Sequence, residues 1–191
     1  MWHLTGVFFL IVMLTPTSGF RAEENPPDTS ALSLLEAMVA EDQSLRSIDT
    51  LDYGLVYAAD VRHREAVFTM LSNNEIVTAK AKYLAALLLQ HADPTTCAEC
   101  YLLAYKLSVS ASEMGYDKAR RLAALNLDRY LVFTGKPQKY GTQYNCDSTS
   151  HWYLFPVDST VTDEERRNLG LQPLDSLNAE IDRLNSALPK K

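Results

Sequence analysis

Apolar positions along most of this chain recur at three- and four-residue intervals, the period of an α-helix, and one stretch near residues 140–157 breaks the rule. Leu32, Leu35, Met38 and Val39 form a stripe that predicts a helix capped by Thr29 or Ser30 and running to about Arg46. Asp52 opens a second, with Leu55, Val56, Ala59, Val67 and Leu71 on helical spacing. Residues 75–91 are apolar on nearly all sides between Tyr83 and Leu89, which places that helix in the middle of a bundle. Residues 96–114 predict a fourth helix stopped by Gly115, and residues 117–133 a fifth stopped by Gly135-Lys136-Pro137. A last helix over 174–188 has Pro173 at its start. Thr162-Asp163-Glu164-Glu165 reads as a capping box that opens a short helix to about Leu169.

The exception is rich in aromatic and β-forming residues. Gln143-Tyr144-Asn145-Cys146 and His151-Trp152-Tyr153-Leu154-Phe155 flank Asp147-Ser148-Thr149-Ser150, a pattern that predicts a small hairpin or two extended pieces. The expected fold is therefore mainly α: a single-domain bundle of about six helices with a β-like flap near 142–157. A chain of 191 residues is long enough for one domain with a real core and short for two.

The N-terminus has a different character. Leu4 to Leu14 is a near-continuous apolar run, too short for the roughly 20 residues that span a bilayer. With Thr17 and Gly19 as small residues behind it, it is expected to be a secretory signal over 1–19. No Lys or Arg precedes it, only His3. Residues 20–28 then read as a flexible leader and 29–189 as the folded domain, so the mature chain is expected to be periplasmic or extracellular, without a transmembrane helix. The formal net charge of −6 and the scattered Lys and Arg argue against a nucleic-acid partner, since such binders concentrate positive charge on one face. The expected partner is a small polar ligand or another protein.

Cys97, Cys100 and Cys146 are the cysteines, an odd number. Cys97-Ala98-Glu99-Cys100 sits where a helix N-terminus would lower a thiol pKa, but the strand expected before a thioredoxin-like site is replaced by a helix. A metal set with Cys146 and His151 is dispersed and has no second CxxC. One structural disulfide, or reduced thiols, is the simpler expectation, with neither metal nor cofactor.

Two polar helix tips carry the candidate chemistry. Gln90-His91-Ala92-Asp93 ends the third helix, and Gly135 to Gln143 follows the fifth. A histidine in a last helical turn can serve the final carbonyls, or act as a general acid or base if a carboxylate fixes its tautomer. Asp128 emerges among Ala124, Leu125, Leu131 and Val132, so its charge needs a partner. It is the expected partner of His91 in a catalytic pair, or else it holds structure. Arg129, Gln90, Gln138, Tyr140, Thr142 and Gln143 are the candidate ligand contacts, with Trp152, Tyr153 and Phe155 as a wall or a simple cover. Asp42 with Arg46, and Asp60 with Arg64, are four apart and read as solvated surface pairs worth about 0.3–0.5 kcal/mol each. GxSxG, HExxH and phosphate-cradling glycine loops are missing from the sequence, which weakens the familiar hydrolase and nucleotide readings. The leading expectation is an exported binding or interaction domain with a polar cleft; the alternative is a metal-independent hydrolase or transferase using His91 and Asp128.

The order Gln90-His91-Ala92-Asp93, Asp128-Arg129, Gly135-Lys136-x-Gln138-x-Tyr140-Gly141-Thr142-Gln143, Arg167-x2-Gly170-Leu171-x-Pro173-Leu174 resembles a bacterial family of domains of unknown function. The similarity extends back to Asp42-Gln43-x2-Arg46 and Asp60, and thus covers most of the chain after the signal. Ser72-Asn73-Asn74 stands where that family carries a glycine-containing turn. The resemblance implies a predominantly helical domain, groups His91, Asp128, Arg129, Tyr140 and Gln143 in one site, and supplies no chemistry.

Overall fold

A computed structural model describes residues 29–47 and 51–187; the expected signal and leader lie outside them. Among the described residues the order is α1 (Thr29–Arg46), α2 (Tyr53–Ser72), α3 (Ala79–Leu89), α4 (Pro94–Cys97), α5 (Glu99–Glu113), α6 (Lys118–Phe133), β1 (Tyr144–Cys146), β2 (Trp152–Leu154), α7 (Asp163–Asn168) and α8 (Leu174–Ser186). The fold is mainly helical with one small antiparallel hairpin, in which Asn145 pairs with Tyr153. None of the described helices is long and apolar enough to cross a membrane.

α3 lies at the centre, packed by α1, α2 and α5, while α6 packs along α5. Its all-round apolar sequence explains this: Leu84, Ala85, Ala86, Leu88 and Leu89 are all buried, meeting Leu35 and Met38 of α1, Val67 and Met70 of α2 and Ala104 of α5 in one core. A helix packed on most of its sides can be apolar on most of them.

Several boundaries differ from expectation for local reasons. α3 starts at Ala79 because the Thr78 hydroxyl accepts from Ala81 N, a cap that leaves residues 75–78 outside. Residues 94–97 form a separate turn rather than the start of the fourth helix, because Asp93 caps it by accepting from Thr95 N. That turn, with the short α7, brings the described helices to eight against about six expected. Leu55 is exposed, not core. The Ser72-Asn73-Asn74 turn does the work of a glycine turn: Asn74 adopts φ 57° and Glu75 N donates back to Met70 O, closing the helix end. The capping box at Thr162 forms in full. Cys97 and Cys100 form a disulfide between α4 and α5, and Cys146 is free and exposed.

Candidate functional site

The loop after α6 is built around one carboxylate. Asp128 is fully buried and accepts at Oδ1 from Lys139 N (2.7 Å) and Tyr140 N (2.8 Å), and at Oδ2 from Thr142 N and Oγ1 (both 2.9 Å). These four donors favour the ionised form, yet burial is the larger effect and pushes the Asp128 carboxyl above its ordinary range. Gln138 clamps the other side of the loop. Its Nε2 donates to Gln143 O and Phe155 O, and its Oε1 accepts from Gln143 N. The backbone of Gln138 also bridges to the 156–158 segment, through Gln138 N to Pro156 O and Asp158 N to Gln138 O. Gly141 adopts φ +71° with the Arg166 Nη1 2.9 Å from where a Cβ would stand. The loop sequence is thus explained by shape: Asp128, Gln138, Gly141 and Thr142 hold it.

This corrects two expectations. Asp128 is not the partner of His91; its acceptor sites are filled by the loop. Gln138 and Thr142 are spent on loop structure, and Tyr140 lies against the Lys139 ammonium rather than beside His91.

His91 has a different carboxylate. Its Nδ1 meets Asp42 Oδ1 at 2.9 Å, a contact between the turn that follows α3 and the C-terminal part of α1. Asp42 is 2% exposed and takes two more donors, Arg46 Nη1 at 2.6 Å and Gln43 Nε2 at 2.8 Å. Burial alone would raise its pKa, but the His91 bond and charge, then Arg46 and Gln43, outweigh it and hold the carboxyl below its ordinary value. Arg46 in turn donates with Nη2 to both oxygens of Asp60, at 2.7 and 2.8 Å. Asp60 therefore pairs with Arg46 and not with Arg64, and the pair read as solvated belongs to a half-buried network around the buried Asp42. The sequence held one clue: Asp42 falls four residues after Met38 and seven after Leu35, on the buried stripe itself.

Arg129 enters from α6. Its Nη1 donates to the Gln90 carbonyl, its Nε donates to Gln143 Oε1 at 3.2 Å, and its guanidinium lies 5.8 Å from the centre of the Tyr101 ring. Tyr101 is fixed by its hydroxyl, which donates to Ala92 O, and burial pushes its pKa up to about 12. Burial lowers the Arg129 pKa in turn. No carboxylate pairs with Arg129 among the described residues, so its charge is met by a carbonyl, an amide and a ring face.

These groups line one cleft of about 400 Å³. Arg46, Gln90, His91, Arg129 and Gln143 supply its polar surface, and Tyr101, Phe133, Tyr144 and Phe155 its aromatic surface. Phe155 therefore walls the cleft, whereas Trp152 is tied away from it to α8 through Asn185, whose Oδ1 accepts from Trp152 N and whose Nδ2 donates to Trp152 O. A second cleft of similar size, about 410 Å³, lies between Gly141-Thr142 and α7–α8, with Arg121, Arg166 and Glu180 in its walls. The first is lined by His91, whose partner Asp42 is not itself among its walls, and by Arg129, which has no carboxylate partner among the described residues; the second has no histidine.

The ligand-type atoms of Asp42, Asp60 and His91 lie within 4.8 Å of one another, a spacing that could hold a metal ion. Arg46 already bonds both carboxylates there, so its guanidinium supplies the positive charge that an ion would bring. The chain matches no known family model, no curated protein and no solved structure.

Proposed function

We propose that this chain is an exported binding domain whose cleft at the Gln90-His91 and Gln143 end takes a small polar molecule carrying negative charge. The observation behind this reading is Arg129: a half-buried guanidinium on the wall of the cleft, with no carboxylate partner among the described residues. An isolated charge held out of bulk water is costly, and an anionic ligand supplies what the protein does not. The aromatic walls suit the apolar part of such a molecule, as in most small-ligand sites. Of the five residues that the motif resemblance groups, His91, Arg129 and Gln143 line this cleft, and Asp128 and Tyr140 do not.

Titration with inorganic phosphate and with short carboxylates, followed by amide chemical shifts, tests the reading. Residues 90–92 and 143–145 should shift together, and Arg129→Gln should abolish the response while the fold is kept. Shifts elsewhere only, or an unchanged response in Arg129→Gln, would refute it. Export rests on the Leu4-to-Leu14 run. Intact mass from the native host should show the loss of about the first 20 residues, and a full-length species would overturn it.

A further inference from the structure

We infer that the cleft is catalytic and hydrolyses a phosphodiester, with His91 Nε2 as the atom that moves the proton. The inference rests on the anion-binding reading above and adds the reaction. His91 Nδ1 is committed to Asp42 Oδ1 at 2.9 Å, and a carboxylate only accepts, so Nδ1 carries the hydrogen. Asp42 cannot turn away, because Arg46 and Gln43 also hold it. In the neutral ring the tautomer is thereby fixed, with the lone pair on Nε2, which has no hydrogen-bond partner among the described residues; His91 lines the cleft. This is the relation in which a carboxylate orients an imidazole as a base.

Arg129 supplies the second part. It donates to the carbonyl of Gln90, the residue before His91, so cation and base serve the same end of the cleft. A group whose charge and reacting atom coincide satisfies both at once. A phosphodiester is such a group: Arg129 has no carboxylate partner among the described residues and is left to meet its non-bridging oxygens, whereas Arg46 is taken up by Asp42 and Asp60.

In the step, Nε2 takes a proton from a water molecule as the water oxygen bonds to phosphorus. The bond from phosphorus to the leaving oxygen breaks, its electron pair stays with that oxygen, and the proton on Nε2 passes to it. The products are a phosphomonoester and an alcohol, and no oxidant or further reactant is needed. Arg129 holds the non-bridging oxygens; Asp42 and Arg46 are positioning residues.

The purified mature protein is assayed with bis(4-nitrophenyl) phosphate in the presence of EDTA, following release of 4-nitrophenolate. Turnover should persist in EDTA, fall about a hundredfold or more in His91→Gln, and return in part when imidazole is added to His91→Gly. Because His91 also ties α3 to α1, that rescue separates chemistry from folding. Asp42→Asn should lower kcat more than it raises KM, and Arg129→Gln should chiefly raise KM. Binding is read separately with dimethyl phosphate by chemical shifts. Binding without turnover by the wild type would overturn the catalytic inference and leave the binding reading intact, whereas absence of both would overturn the two together. Undiminished turnover in His91→Gln, turnover abolished by EDTA and restored by zinc, or hydrolysis of 4-nitrophenyl acetate in place of the diester would each overturn it as well.

Discussion

Replacing Asp128 by Asn separates the two roles a buried carboxylate can have. The change is nearly isosteric, so it opens no cavity, but it turns one acceptor into a donor. If the amide oxygen takes the Oδ1 position, it keeps Lys139 N and Tyr140 N, and the new NH2 faces Thr142 N–H. The Thr142 hydroxyl can rotate to accept; the Thr142 amide cannot. One charge-assisted bond is lost, at about 1.5–3 kcal/mol, and a buried donor is left unpaired, at about 1–3 kcal/mol. Removing the charge relieves the burial that raises the Asp128 pKa, which offsets part of this. The net expectation is a loss of about 2–4 kcal/mol, or a Tm lower by roughly 4–16 °C for a domain of this size. Urea unfolding and thermal melts of wild type and Asp128→Asn measure it. A loss under about 1 kcal/mol would show that the four contacts do not hold the loop, and the account of the 139–142 backbone would fail with it.

Three further perturbations follow from the same structure. Gly141→Ala should cost about 3 kcal/mol or more, since it combines a left-handed φ of +71° with a Cβ 2.9 Å from Arg166 Nη1 and 3.1 Å from Leu174 Cδ1. Gly135→Ala has a similar φ and open space around it, so it should cost only about 1–2 kcal/mol; equal melting shifts would contradict the packing argument. Asp42, held below its ordinary value of 3.8, contributes stability that is whole above that value and is lost as the pH falls below it toward the depressed folded value. Urea midpoints measured from pH 7 to about pH 2.5 should show a smaller acid loss in Asp42→Asn, and an unchanged difference would refute the assignment. The Cys97–Cys100 disulfide closes only a short loop, so Cys97→Ser should cost about 2 kcal/mol by chain entropy and leave the hairpin and α8 undisturbed by NMR.

The helices were legible because each carries a strong period together with a chemical stop. Gly115 and Gly135 end α5 and α6 within a residue or two of where the pattern breaks, and Thr162 announces α7. The hairpin was legible from aromatic runs around a polar turn. The site was legible only in part. His91, Arg129 and Gln143 do meet, as the polar helix tips suggested, but the partner of His91 lies 49 residues upstream and no local spacing encodes that distance. Asp42 and Arg46 look like any i, i+4 surface pair until the burial of the surrounding stripe is weighed. Half-buried and tied to Asp60 and His91, the pair changes meaning: removal of one partner from such a network costs on the order of 1–3 kcal/mol rather than a few tenths.

The two buried carboxylates differ in where their acceptor capacity goes. Asp128 spends all of its acceptor capacity on the loop that follows its own helix, three backbone amides and one hydroxyl within 14 residues. Asp42 spends part of its capacity on a histidine from a distant element, and that histidine reaches a cleft. They are nonetheless joined through α6. Residues one apart on a helix do not face each other, so Asp128 can serve the loop while Arg129 serves the cleft. The loop that Asp128 shapes and Gln138 clamps ends at Gln143, whose Oε1 accepts from Arg129 Nε. A loop held this firmly fixes the side chain that orients the cation. Its rigidity therefore belongs to the site as much as the histidine does, because charged groups recognise a ligand closely only when they need not reorganise to meet it.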